Sequence, residues 1–360
     1  MKRWSPEESR SECLRHYGNM RQLCGLKRYT FSDGKAAGIE AVDVETGGGL
    51  RFTVLPGRGM DISEMRYCGI PIAYLSKAGI TAPSYHDPRE DQWLKSFFGG
   101  MLTTCGLTNA GPACRDDIGM LTDIPFGLHG DISNIAADNV CTCETWKDGR
   151  YHMTVSGRME EGRLHGEHLQ LRRTVETCLG EKRLWIHDVF SNEGELPQLI
   201  MFFYHINIGH PILSSKARFI APSRKVWAET SHAKKNIDCY DRCSDPMPGY
   251  PEEQFFHEMG SDEHGNTLCA LVNDDLELAF YLRYNVHELP NIAQWKVFRE
   301  TDYVLAFEPG NCHAIGRLRQ KDQNAEFLAP MHTRETHLEL GIIEGRTEIA
   351  RLEKEVQNKR

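Results

Sequence analysis

The chain is built from short runs of strand length, and that texture constrains its fold more than any other feature. Gly38-Ile39-Glu40-Ala41-Val42-Asp43-Val44 and Leu50-Arg51-Phe52-Thr53-Val54-Leu55 are separated by Gly47-Gly48-Gly49 and closed by Pro56-Gly57. Alternation broken by glycine at this spacing predicts antiparallel hairpins across residues 26–74. Runs of the same kind return at 151–157, 169–177, 184–190 and 200–208, then at 268–272, 276–284, 295–298, 303–307 and 337–343. Strand-helix units do not alternate, which argues against Rossmann and TIM folds. The reading is an all-β, mainly antiparallel protein built as one large β-sandwich.

Helices are expected only at the ends. Ser5-Pro6-Glu7-Glu8 supplies an N-cap, a proline at the first helical position and acids in the first turn, predicting a helix to about His16. Ile349, Leu352 and Val356 carry the 3-4 spacing of a closing amphipathic helix. The organisation is therefore a helical extension at 1–24, a sandwich at 25–345 and a helical tail at 346–360. Two stretches stand apart: residues 75–120, rich in Gly, Pro and Thr, read as a long ordered excursion, and polar residues 229–265 as a second long loop.

A net charge of -9 offers no basic surface for nucleic acid or anionic lipid. The start of the chain lacks an apolar run fit for a signal peptide or a membrane span, so a cytoplasmic location with reduced thiols is expected. The closest cysteine spacings, Cys141-x-Cys143 and Cys239-x3-Cys243, lack the second matched pair of a four-ligand zinc site. No metal or other cofactor is expected. Sheet edges that pair leave room for a homodimer.

Four stretches can carry chemistry. Tyr303-Val304-Leu305-Ala306-Phe307 runs into Glu308, and Pro309-Gly310 is expected to end ladder pairing and leave the carboxylate at a strand end. Phe202-Phe203-Tyr204-His205-Ile206-Asn207-Ile208 reads as a central strand with His205 and Asn207 on one face. Buried polar side chains there need partners or a lined cavity. His129 stands between Leu128 and Gly130 in Phe126-Gly127-Leu128-His129-Gly130-Asp131, where the backbone can turn tightly. Arg58 lies between Gly57 and Gly59, with Asp61 following, which suits bidentate hydrogen bonding to hydroxyls or a carboxylate. Each stretch also has a plain structural explanation: a turn acid, a core histidine, a turn histidine, and an Arg58–Asp61 pair closing a turn.

Taken together these stretches resemble the aldose 1-epimerase (galactose mutarotase-like) superfamily, and within it a bacterial branch of the aldose 1-epimerase family. The resemblance rests on residues 55–62, 103–109, 127–130, 204–207 and 307–309 and covers roughly residues 18–345. It implies a galactose mutarotase-like supersandwich acting on a monosaccharide or sugar derivative. It further implies that Glu308 is the general base and His205, followed by Asn207, the general acid. His129 would bind the sugar, with Asn207, Asp61 and His257 as further substrate contacts and Arg58 a looser match for the family's early arginine. The family's sugar-holding aspartate has no clear equivalent; Glu253 and His257 occupy that region. The chemistry implied is anomer interconversion, in which one group takes the anomeric hydroxyl proton while another protonates the ring oxygen. The two groups are expected to face each other across a gap as wide as a pyranose, with Trp93, Phe97 and Trp295 offering apolar faces. The rival readings are a non-catalytic sugar-binding protein and a sugar epimerase, isomerase or lyase working through a carbon acid.

Overall fold

The computed structural model describes residue 4, residues 9–323 and residues 325–360. Its frame is three antiparallel sheets. The hairpins expected near the start form a five-stranded meander of Gly25–Thr30, Glu40–Glu45, Leu50–Leu55, Asp61–Tyr67 and Ile70–Pro71, in chain order. An eight-stranded sheet has the long strands Arg150–Gly162, His168–Cys178, Arg183–Asn192 and Thr333–Glu344 at its middle. A six-stranded sheet orders Ser223–Ala228, Glu253–Met259, Asn291–Arg299, Asp302–Gly310, Met201–Ile208 and Thr103–Leu107.

The six- and eight-stranded sheets pack face to face, with Phe202 of one stacked on Phe190 of the other at 4.0 Å between ring centroids. The meander prolongs the six-stranded layer through isolated bridges from Ile62 to Leu102 and from Ala73 to Ile208. One continuous core lies between the layers. The closing helix Arg346–Asn358 lays Ile349, Leu352 and Val356 on Leu268, Ala270 and Val272, on the outer face of the larger sheet. At the other end the helix spans Arg10–His16 with Ser9 as its N-cap; the Ser5-Pro6-Glu7-Glu8 start lies outside the described residues. Among the described residues no helix is long and apolar enough to cross a membrane.

Three local expectations need correction. Pro309 and Gly310 do not end pairing: Ile292 pairs with Pro309 and Asn291 with Gly310, so Glu308 lies inside its strand. The proline is tolerated because the neighbouring strand Asn291–Arg299 keeps its register past it, while bridges to Met201–Ile208 skip from Phe307 to Gly310. The polar stretch 229–265 holds a strand, Glu253–Met259, second from one edge of the six-stranded sheet. Its buried glutamate and histidine find polar partners there, so polarity was a poor guide to its conformation. The excursion at 75–120 likewise contains the edge strand Thr103–Leu107, whose five residues are all buried and so show no alternation.

Candidate active site

The site forms on one face of the six-stranded sheet because of register. Ile206 pairs with Phe307 and Asn207 with Ala306, which sets His205 opposite Glu308 on adjacent strands. Cross-strand neighbours on one face bring their Cβ atoms within about 5 Å. Here the side chains meet, with His205 Nε2 3.4 Å from Glu308 Oε1. One strand further over, Ala293 pairs with Glu308, and its small side chain leaves room above the acid. Gln254 pairs with Trp295 in the same layer, and its amide donates to Glu308 Oε2 at 3.4 Å.

A cavity of about 390 Å³ opens above the pair, within the usual size of small-molecule sites. Its walls are largely aromatic. Trp93 stacks on Phe97 at 4.7 Å, Phe97 meets the His205 ring at 5.0 Å, and Trp295 meets it edge-on at 5.2 Å. Trp295 is held by its indole N–H donating to Glu252 at 3.2 Å. Trp93 and Phe97 come from the Gly- and Pro-rich excursion, so that segment builds one side of the cavity.

His129 lines the cavity from a turn in the left-handed backbone region, φ 59°. The backbone N–H of Gly111 donates to its Nδ1 at 3.2 Å. That bond makes Nδ1 an acceptor and leaves the proton on Nε2, so the ring is a neutral donor. Burial, with His205 nearby, pushes the His129 imidazole down to about 3, which keeps it neutral.

The same burial splits the central pair. The Glu308 carboxyl is pushed up to about 8 by burial, against the Gln254 hydrogen bond that favours its ionised form. The His205 imidazole is pushed down to about 4 by burial, with Asn207 opposing the change. Between those values the pair holds one proton. One group can give a proton while the other takes one, a pattern of divergent acidities suited to acid–base work.

Glu308, His205 and His129 thus share one cavity, with Trp93, Phe97 and Trp295 around them. The other expected contacts lie elsewhere. Arg58 is fully buried, its guanidinium donating to the carbonyls of Ser133 (3.1 Å), Thr81 (2.5 Å) and Ser96 (2.7 Å). All its hydrogen bonds go to backbone, so it ties loops together and does not reach a ligand. Asp61 is sealed between the sheets, where it accepts from Thr104 Oγ1 at 2.7 Å and from Arg173 at 3.3 Å. Asn207 lies beneath the cavity, its amide donating to the carbonyls of Gly100 (3.0 Å) and His205 (2.9 Å). His257 is on the opposite face of its strand and bonds Ser223 at 2.9 Å. Glu253 shares that face and pairs with Lys296 at 3.3 Å. Strand alternation instead sends Gln254 to the site. Gln254 and Glu252 escaped sequence reasoning because their segment was read as loop. The gap expected between acid and imidazole is also absent: the two groups touch.

The fold is that of a galactose mutarotase-like antiparallel sandwich, with the candidate cavity on the smaller of the two facing sheets. The chain belongs to the family described as domain of unknown function DUF4432, which it matches over residues 36–342. It is similar to a Klebsiella pneumoniae protein provisionally named an aldose 1-epimerase, with a TM-score of 0.87 at 22% identity over 99% of this chain and 95% of that one. A galactose mutarotase-like protein from Clostridium acetobutylicum gives 0.64 at 14% identity over 90% of this chain and 99% of its own. For a galactose 1-epimerase from Lactobacillus acidophilus the values are 0.58 and 12%, over 90% and 100%. At these identities the likeness speaks for the fold. No curated protein sequence matches the chain.

Proposed function

We propose that the protein interconverts the anomers of an uncharged aldose or sugar derivative by acid–base ring opening, with Glu308 and His205 as the proton-transfer pair. The observation that carries this reading is their contact at 3.4 Å on the floor of an aromatic cavity. Ring opening moves protons at two oxygens bonded to the same carbon, so touching groups serve it better than groups a pyranose apart. In the free protein the proton rests on the Glu308 carboxyl and His205 is the free base. Transfer across the contact gives the other tautomer, carboxylate and imidazolium, without changing the net charge. Either tautomer opens the ring: the base takes the anomeric hydroxyl proton, the C1–O5 bond breaks, and the acid protonates O5. Rotation about C1–C2 and the reverse transfers close the ring on the other face. His129 lines the cavity with its Nδ1 occupied by the Gly111 N–H, which supports a role for its Nε2–H as a donor to a sugar oxygen. Among the described residues lining the cavity there is no lysine or arginine, which favours an uncharged sugar over a phosphorylated or acidic one.

The test is saturation-transfer NMR of anomer exchange over a panel of neutral aldoses. Acceleration of at least one sugar above the buffer rate is expected. Calorimetric sugar binding without acceleration would replace the proposal with a binding role. Deuterium entering a C–H bond from heavy water would replace it with carbon-acid chemistry, since mutarotation exchanges only hydroxyl protons.

A further inference from the structure

A second constellation lies on the outer face of the eight-stranded sheet. His187 and His337 are direct partners on the adjacent strands Arg183–Asn192 and Thr333–Glu344. Their rings stack at 4.5 Å between centroids with 7° between planes. Glu335, two residues before His337 and so on the same face, places Oε2 2.9 Å from His187 Nε2. One donor atom from each of the three lies within 4.8 Å of the other two. Glu288 arrives from the turn after strand Leu278–Asn285. It accepts the His337 backbone N–H at 2.7 Å and faces His337 Nδ1 at 3.0 Å.

We propose that His187, His337 and Glu335 form a binding site for a late first-row divalent cation, zinc or copper(II), with Glu288 orienting His337. The two imidazoles are borderline nitrogen donors that favour such metals over magnesium or calcium, and the carboxylate adds an oxygen ligand that zinc also accepts. Glu288 supplies the outer carboxylate that metal-binding histidines typically have: it accepts a hydrogen bond from Nδ1–H, which holds the proton there and leaves the Nε2 lone pair free. Two carboxylates beside two imidazoles also give the patch a negative field that suits a dication. Ligands on tetrahedral zinc sit about 2 Å from the metal and thus roughly 3.3 Å apart. The half-exposed side chains can close that distance by rotation without moving the core. Three protein ligands leave one position open.

Sequence spacing could not reveal this set, because the two histidines are joined only by strand pairing. A second cluster, His152, Glu176 and Cys178, is the internal rival. There both partners converge on one nitrogen, His152 Nδ1, at 2.7 Å from Glu176 and 3.5 Å from Cys178. That leaves a less open set of donors.

The test is calorimetric titration of the full chain with zinc chloride, joined to electron paramagnetic resonance of the copper(II) form. One equivalent of zinc is expected, weakened at least about tenfold by His187→Ala or His337→Ala and by a smaller factor by Glu288→Gln. The copper spectrum should show two imidazole nitrogens, falling to one in either single variant. Circular dichroism must show each variant folded; if a double variant is not, the single-variant spectra decide. Unchanged binding in His187→Ala/His337→Ala, loss of binding only on Cys178→Ser, or no heat up to about 1 mM zinc would overturn the proposal.

Discussion

Glu308 and His205 are both buried, and burial opposes charge on each, so their acidities separate in opposite directions. Below about 4 both groups are protonated and the base is lost; above about 8 neither is and the acid is lost. A plot of kcat/KM against pH should therefore be bell-shaped, with limbs near those two values. Stability follows the same groups. The Glu308 carboxyl is raised in the folded state, so its contribution is fully present below the ordinary carboxylate range and is lost as pH rises through about 8. Glu308→Gln removes that dependence. Relative to wild type the variant should gain about 4 kcal/mol between pH ~5 and pH ~8, read from urea unfolding at each pH. An unchanged difference would mean that Glu308 is ionised in the folded protein. At this scale Glu308 and His205 of the candidate site stand out in the sequence, because an acid ending an apolar run and a histidine inside one are costly unless partnered or used. Arg58 and Asp61 misled because a glycine-flanked arginine with an acid three residues on reads as an exposed turn, and nothing local records that the other layer closes over them.

The His129 turn depends on its neighbour. Gly130 has φ 67°, and a Cβ there would collide with the backbone oxygen of Gly106 in the edge strand Thr103–Leu107. Gly106 N–H in turn donates to the His129 carbonyl at 2.9 Å, so turn and strand hold each other. Gly130→Ala should cost at least about 2 kcal/mol in urea unfolding and slow anomer exchange by displacing His129. Loss of stability with exchange unaltered would remove His129 from the site. Elements with alternation or turn signals, such as the opening meander and the closing helix, could be read directly. The strand Glu253–Met259 could not, since its buried polar residues are satisfied by partners such as Lys296 and Ser223, which are distant in sequence or unremarkable in it. Missing that strand also hid Gln254, whose place in the site follows from parity alone.

Across the whole molecule, one buried network joins all three sheets beneath the site. Arg173 donates to Asp188 at 2.9 and 2.6 Å, to Thr104 at 2.8 Å and to Asp61 at 3.3 Å. Tyr204, next to His205, donates to Asp188 at 2.8 Å. Arg173→Met strands two buried carboxylates and should destabilise the protein by about 3–5 kcal/mol in urea unfolding. A loss under about 1 kcal/mol would mean that the network is not what holds the layers. The sandwich itself was legible from recurring runs, but the pairing of a mid-chain strand with a late one was not, because register depends on the turns and partners of the assembled sheet. That register is what brings Glu308 to His205, so the most direct measurement removes each partner in turn. In saturation-transfer NMR on a sugar the wild type turns over, Glu308→Gln and His205→Ala should each slow anomer exchange by about 10²- to 10⁴-fold while sugar still binds. Exchange at the wild-type rate in either variant would contradict a proton-transfer pair.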